Sequence, residues 1–101
     1  MHLHTNDIEV IEKGTFQGLI SLERLYIHSN KINDIHVQAF EHLENVKLID
    51  LRKNNLKLCD RTLFKKTTSL ERLFLEDNPL SSTALEKNYF EIGNPNCELA
   101  L

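Results

Sequence analysis

The stretch Leu22–Val46, L-E-R-L-Y-I-H-S-N-K-I-N-D-I-H-V-Q-A-F-E-H-L-E-N-V, is the unit from which this 101-residue chain is built. Its landmark is Asn30. Asn6 lies 24 residues earlier, Asn54 lies 24 later, and Asn78 follows after another 24. Phe16, Phe40 and Phe64 each follow an asparagine by ten residues. A constant period of this size marks a chain of stacked units, none of which can bury its apolar face alone.

With each asparagine as position zero, apolar residues recur at −5, −3, +2, +5, +10, +13 and +16. In the central unit these are Leu25, Ile27, Ile32, Ile35, Phe40, Leu43 and Val46. The unit before it has Met1, Leu3, Ile8, Ile11, Phe16, Leu19 and Leu22 in the same places. The unit after it has Ile49, Leu51, Leu56, Cys59, Phe64, Thr67 and Leu70, with Thr67 the one departure. The fourth keeps Leu73, Leu75 and Leu80, then breaks at Thr83 and Asn88. The alternation at −5 and −3 reads as a short strand with one buried face. The asparagine stands where the chain leaves that strand, and its amide can satisfy backbone groups freed at a buried bend. The residues at +2 and +5 turn the corner, and the phenylalanines predict a stack of three rings.

This pattern, L-x-x-L-x-L-x-x-N-x-L-x-x-L with a later F-x-x-L, resembles the leucine-rich repeat, and its 24-residue period is similar to the typical class of that family. The resemblance covers residues 1–80. It implies an α/β solenoid with a short parallel sheet on the concave side and irregular or 3₁₀-like turns on the convex side. It also implies recognition of protein partners on that concave sheet, as in receptors and innate-immunity-type factors, and an extracellular or secreted setting.

Residues 81–101 read as a C-terminal cap and tail. Thr83-x-x-Glu86 has capping-box form, Gly93 is a suitable stop, and Leu85, Tyr89 and Ile92 share one helical face. The expectation is a capping helix over about 84–92 laid on the last coil, with Asn94-Pro95-Asn96 turning the chain outward. Asn78-Pro79-Leu80 resembles the entry to the cap of extracellular family members, but Ser82 and Ala84 stand where that cap carries cysteines. At the other end Met1 falls at a core position in mid-strand, so upstream repeats are expected and the open N-terminal edge offers self-association.

The candidate binding residues follow from strand geometry. If Leu25 and Ile27 point inward, Arg24, Tyr26 and His28 point outward. Steps of 24 then give the columns Arg24–Leu48–Arg72, His2–Tyr26–Asp50–Phe74 and His4–His28–Arg52–Glu76. Arg24, Tyr26, His28, Asp50, Arg52, Arg72, Phe74 and Glu76 form the expected partner-binding set, since Tyr, Phe and Arg are enriched at interface hot spots. Local pairs are expected between Arg52 and Glu76 and between Lys53 and Asp77. The three imidazoles His2, His4 and His28 lie within reach of one another, but no cysteine or acidic ligand joins them before Asp50. No metal and no cofactor are assigned; a modest pH response is expected of the cluster.

Composition narrows the rest. A net charge of −3 and a pI of 5.9 exclude a general nucleic-acid surface. No apolar run reaches membrane-span length, and the opening residues lack the apolar core of a signal peptide. No phosphate-cradling glycine loop, paired carboxylates in a pocket or nucleophile–base pair marks an enzyme. No N-x-S/T sequon occurs, and Cys59 reads as a small buried hydrophobe.

Overall fold

The computed structural model describes residues 1–86 and 88–101. Among the described residues six short strands punctuate the coils: β1 (Val10–Ile11), β2 (Arg24–Tyr26), β3 (Asp34–Ile35), β4 (Leu48–Asp50), β5 (Arg72–Phe74) and β6 (Glu98–Ala100). One parallel sheet runs β2–β4–β5–β6, and β1 pairs with β3 in a second parallel sheet. The register steps by one period: Leu25 faces Ile49, and Ile49 faces Leu73. Residues 1–5 extend the large sheet beyond β2, with His2 bridging Tyr26 and the Leu3 and Thr5 amides donating to the Tyr26 and His28 carbonyls. The phenylalanine side of each coil descends through successive turns, closed by i→i−3 bonds such as Leu43 N to Phe40 O at 3.1 Å.

The core is the inside of the coils. Leu25, Ile27, Ile32, Phe40, Leu43 and Val46 are all fully buried, and Ile35 is half-buried. Phe16, Phe40 and Phe64 stack with centroids 5.8 and 5.6 Å apart. Each such ring removes a large apolar area from water, on the order of 2–3 kcal/mol for a fully buried side chain. Thr67 stands where Leu19 and Leu43 stand in the earlier coils. It is buried too, and its hydroxyl is satisfied by donating to the Phe64 carbonyl at 2.8 Å.

The asparagines tie neighbouring coils together. Oδ1 of Asn30 accepts the amides of Asn6 and Ile8, and Oδ1 of Asn78 accepts those of Asn54 and Leu56. Nδ2 of Asn54 donates to Ile27 O in the preceding coil and to Leu51 O in its own. A bend inside a solenoid strands backbone groups away from water, and each would cost about 1–3 kcal/mol unpaired. One amide side chain serves both coils. The residue before each asparagine, Thr5, Ser29, Lys53 or Asp77, takes a positive φ of 56–59° to swing the side chain inward.

The C-terminal segment corrects the expected capping helix: among the described residues there is no helix. Asn88 takes a left-handed φ of 63°, which no α-helix accommodates. The local bonds are turns, such as Glu86 N to Thr83 O and Tyr89 N to Glu86 O. Backbone donors go instead to the previous coil, Glu91 N to Arg61 O at 2.8 Å and Gly93 N to Phe64 O at 3.1 Å. The side chain that bonds the backbone here is Ser81 rather than Thr83, its hydroxyl accepting the Ala84 amide. Of the three residues on the expected helical face, Tyr89 and Ile92 are half-buried and Leu85 is half in solvent.

The chain does not leave the solenoid after Asn96. It forms β6, with Leu99 opposite Leu73. That step is 26 residues, two longer than the others. Phe90 likewise follows Phe64 by 26 and packs edge-on against it at 5.8 Å. The segment is a longer, irregular coil of the same architecture.

Candidate functional site

The outward columns of the large sheet assemble as the strand pattern predicts. Arg24, Leu48 and Arg72 are neighbours in register, and so are Tyr26, Asp50 and Phe74. His2 stacks on Tyr26 at 4.8 Å with a 3° interplanar angle, and His4 stacks on His28 at 4.9 Å. His2 meets His4 edge-on at 5.7 Å. The imidazole Nδ1 of His28 lies 3.1 Å from the Ser29 hydroxyl. Among the described residues no three His, Cys, Asp or Glu side chains are arranged to hold a metal ion.

Asp50 differs from its neighbours. It lies on the solvent side of the central strand, yet it is only 2% exposed. Tyr26 and Phe74 flank it in the adjacent strands, and Arg52 covers it. The guanidinium holds the carboxylate at two points, Nε to Oδ1 at 2.9 Å and Nη2 to Oδ2 at 2.8 Å. The Arg52 backbone amide adds a third bond at 3.1 Å. Burial alone pushes the Asp50 carboxyl up. The Arg52 side-chain and backbone hydrogen bonds, its charge and that of His28 outweigh burial and hold it below the ordinary value. The same pair makes Arg52 more basic. Arg52 also lies over the Phe74 ring, 5.5 Å from its centroid, a cation–π contact that adds to the two bonds with the carboxylate.

Arg52 therefore pairs with the last residue of β4, two positions before it. The expected bond from Arg52 to Glu76 does not form, because the guanidinium is taken by Asp50, which shares its outward face; Lys53 and Asp77 do not pair either. Arg24 and Arg72 are exposed. His28 and Phe74 are half-buried, and Glu76 is exposed at the strand exit.

A second feature escaped the sequence reading. A groove of about 700 Å³ runs beside the β1–β3 sheet, with Val10, Val37, Leu58 and Cys59 in its walls. Val10 and Leu58 are 48% and 58% exposed. Both sit at position +4, where a column of apolar residues interrupted by Asp34 was the available signal. Cys59 and Cys97 are free thiols. Burial pushes the Cys59 thiol up to about 11, so it stays protonated at neutral pH.

A solenoid of parallel strands with interlocked asparagines defines a repeat protein that presents a sheet to its surroundings. Residues 1–56 and 20–80 match the leucine rich repeat family, and the chain belongs to that family. Among solved structures it is similar to a leucine-rich repeat protein of Leptospira interrogans, with 22% identity and a TM-score of 0.63 over the whole chain. The chain spans 30% of that protein's length, and the likeness is one of fold. A search of curated proteins finds no match. Domains of this family generally bind proteins and usually carry no enzymatic activity. No helix among the described residues is long and apolar enough to cross a membrane.

Proposed function

We propose that the protein is a rigid recognition module that binds a protein partner on the sheet β2–β4–β5–β6, in an extracellular, receptor-like or innate-immunity-type setting. The contact residues are Arg24, Tyr26, His28, Arg52, Arg72, Phe74 and Glu76. Asp50 acts behind them by positioning Arg52. The observation that supports this reading is the Asp50–Arg52 pair. Placing a carboxylate at 2% exposure on the outer face of a sheet costs desolvation and contributes nothing to the apolar core. What it provides is a guanidinium held still between Phe74 and the strand, so that little side-chain entropy is lost on binding.

Affinity capture with the wild-type chain and a Tyr26→Ala/Phe74→Ala variant tests the proposal. The captured protein should bind the wild type and lose most of its affinity for the variant while circular dichroism shows an unchanged fold. Equal binding to both sinks the reading. A second reading is assembly through the N-terminal edge, favoured by the Asn6 side chain: its Nδ2 donates to Leu3 and His4, but its Oδ1 accepts nothing among the described residues. Light scattering decides that reading, and a strict monomer removes it.

A further inference from the structure

Leu48 lies in register between Arg24 and Arg72, one strand from each. At the ordinary spacing of neighbouring strands the two arginines are about 10 Å apart. Neither makes an ion pair among the described residues. The other cations near this row are already used: Lys47 pairs with Glu23 at 3.7 Å and Arg52 with Asp50 at 2.8 Å. The nearby acids leave the two guanidiniums open. Glu98 is the register partner of Arg72 in β6, and Glu23 and Glu71 precede the arginines, yet none comes within ion-pair distance of either one. Asp50, the one acid in the middle of the sheet, is neutralised by Arg52. A depression lined by Arg24, Tyr26, Lys47, Leu48, Glu71 and Arg72 lies between them, about 400 Å³ in volume.

We propose that Arg24 and Arg72 form a two-pronged clamp for an acidic segment of the protein partner. In that segment an apolar side chain sits over Leu48, and carboxylates on either side meet the guanidiniums. The inference rests on the recognition reading above and specifies the chemistry of the partner. Charge complementarity carries it. Guanidinium is the group best shaped for two-point capture of a carboxylate, and its weak hydration lets it work beside an apolar floor. The floor is present in half-buried Leu48 and Tyr26.

The test selects a displayed random-peptide library on the wild-type chain. Recovered peptides are then measured against the wild type, Arg24→Gln/Arg72→Gln and Tyr26→Ala/Phe74→Ala. Exposed arginines can be replaced without loss of fold, which circular dichroism verifies. The expected peptides carry Asp or Glu on both sides of an apolar residue. Their affinity should fall at least about tenfold on Arg24→Gln/Arg72→Gln, as loss of charge-assisted hydrogen bonds requires. Peptides without that acidic pattern, or acidic peptides that bind the arginine variant as well as the wild type, overturn the clamp. If such peptides are still lost on Tyr26→Ala/Phe74→Ala, the concave-sheet reading survives without it; dependence on neither variant, or no peptide recovered, removes both. A heparin oligosaccharide is the control ligand: arginine-dependent binding of it without any acidic peptide overturns the proposal in favour of a sulfated polysaccharide.

Discussion

Asn78 reaches back one coil to Asn54: its Oδ1 accepts the Asn54 amide at 3.2 Å, while its Nδ2 donates to the Leu51 carbonyl at 2.9 Å. Asn54 repeats the arrangement toward the coil before it, holding Ile32 N, Ile27 O and Leu51 O. Each side chain is thus a rivet between two backbones, and the strength of the stack depends on its interior rivets. Asn54→Ala strips Ile32 N of its acceptor at a site only 5% exposed, while Ile27 O and Leu51 O keep one donor each, from Asn30 and Asn78. The expected loss is about 2 kcal/mol. Asn6→Ala, at the exposed end of the ladder, should cost under about 1 kcal/mol. Urea unfolding midpoints of the two variants give the comparison, and equal losses would contradict the rivet account.

Lys53 stands at φ 56° immediately before Asn54. A side chain in that region crowds the following carbonyl, at a cost of about 1–2 kcal/mol that glycine avoids. Glycine returns part of that gain as backbone entropy. Lys53→Gly should therefore raise stability by about 0.5 kcal/mol, and Lys53→Val should lower it by about 1 kcal/mol or more. Thermal melts should show shifts of opposite sign.

Asp50 gives the molecule a defined acid response. Its folded-state pKa lies below the ordinary 3.8, so its ionised form is favoured by folding. The contribution is complete above the ordinary value and is lost as pH falls through the lower folded one. Asp50→Asn should destabilise the protein at neutral pH, because Arg52 loses its charged partner. The gap between wild type and variant should narrow below the ordinary value. Melting temperatures taken from neutral pH down to about pH 2 check this; a gap of constant size would point to lost packing rather than lost charge.

Gly93 marks where the longer last coil presses on its neighbour. A β-carbon there would overlap the Lys65 carbonyl oxygen. The overlapped atom is backbone rather than the end of a flexible side chain, and the Thr68 methyl crowds the site at 3.2 Å, so Gly93→Ala should cost about 2–3 kcal/mol. Gly14→Ala meets only the end of Gln17, at 3.7 Å, and should be nearly neutral. Parallel denaturation of the two variants makes the test, and a neutral Gly93→Ala would mean that the last coil moves away.

The amino-acid sequence by itself determined the period, the inward-facing core, the asparagine ladder and the outward columns. These follow from repetition: Leu25, Ile49 and Leu73 sit in near-identical surroundings, so one alignment solves all three. The tertiary structure decided what happens where repetition fails. The turn chemistry of Thr83–Glu86 and the face of Leu85, Tyr89 and Ile92 favour a helix locally. Glu91 and Gly93 instead give their amides to the Arg61 and Phe64 carbonyls, and cross-coil pairing carries the chain into β6. The clue was the shift from 24 to 26 residues at Phe90, Leu99 and Leu101, which a fixed period passes over. The tertiary structure also decided which charges of the sheet stay open. Arg24, Arg52 and Arg72 are alike as letters, but Arg52 closes over Asp50 because both project from one strand face between two rings. Arg24 and Arg72, with Leu48 between them, make no ion pair among the described residues, although Glu98 faces Arg72 in register.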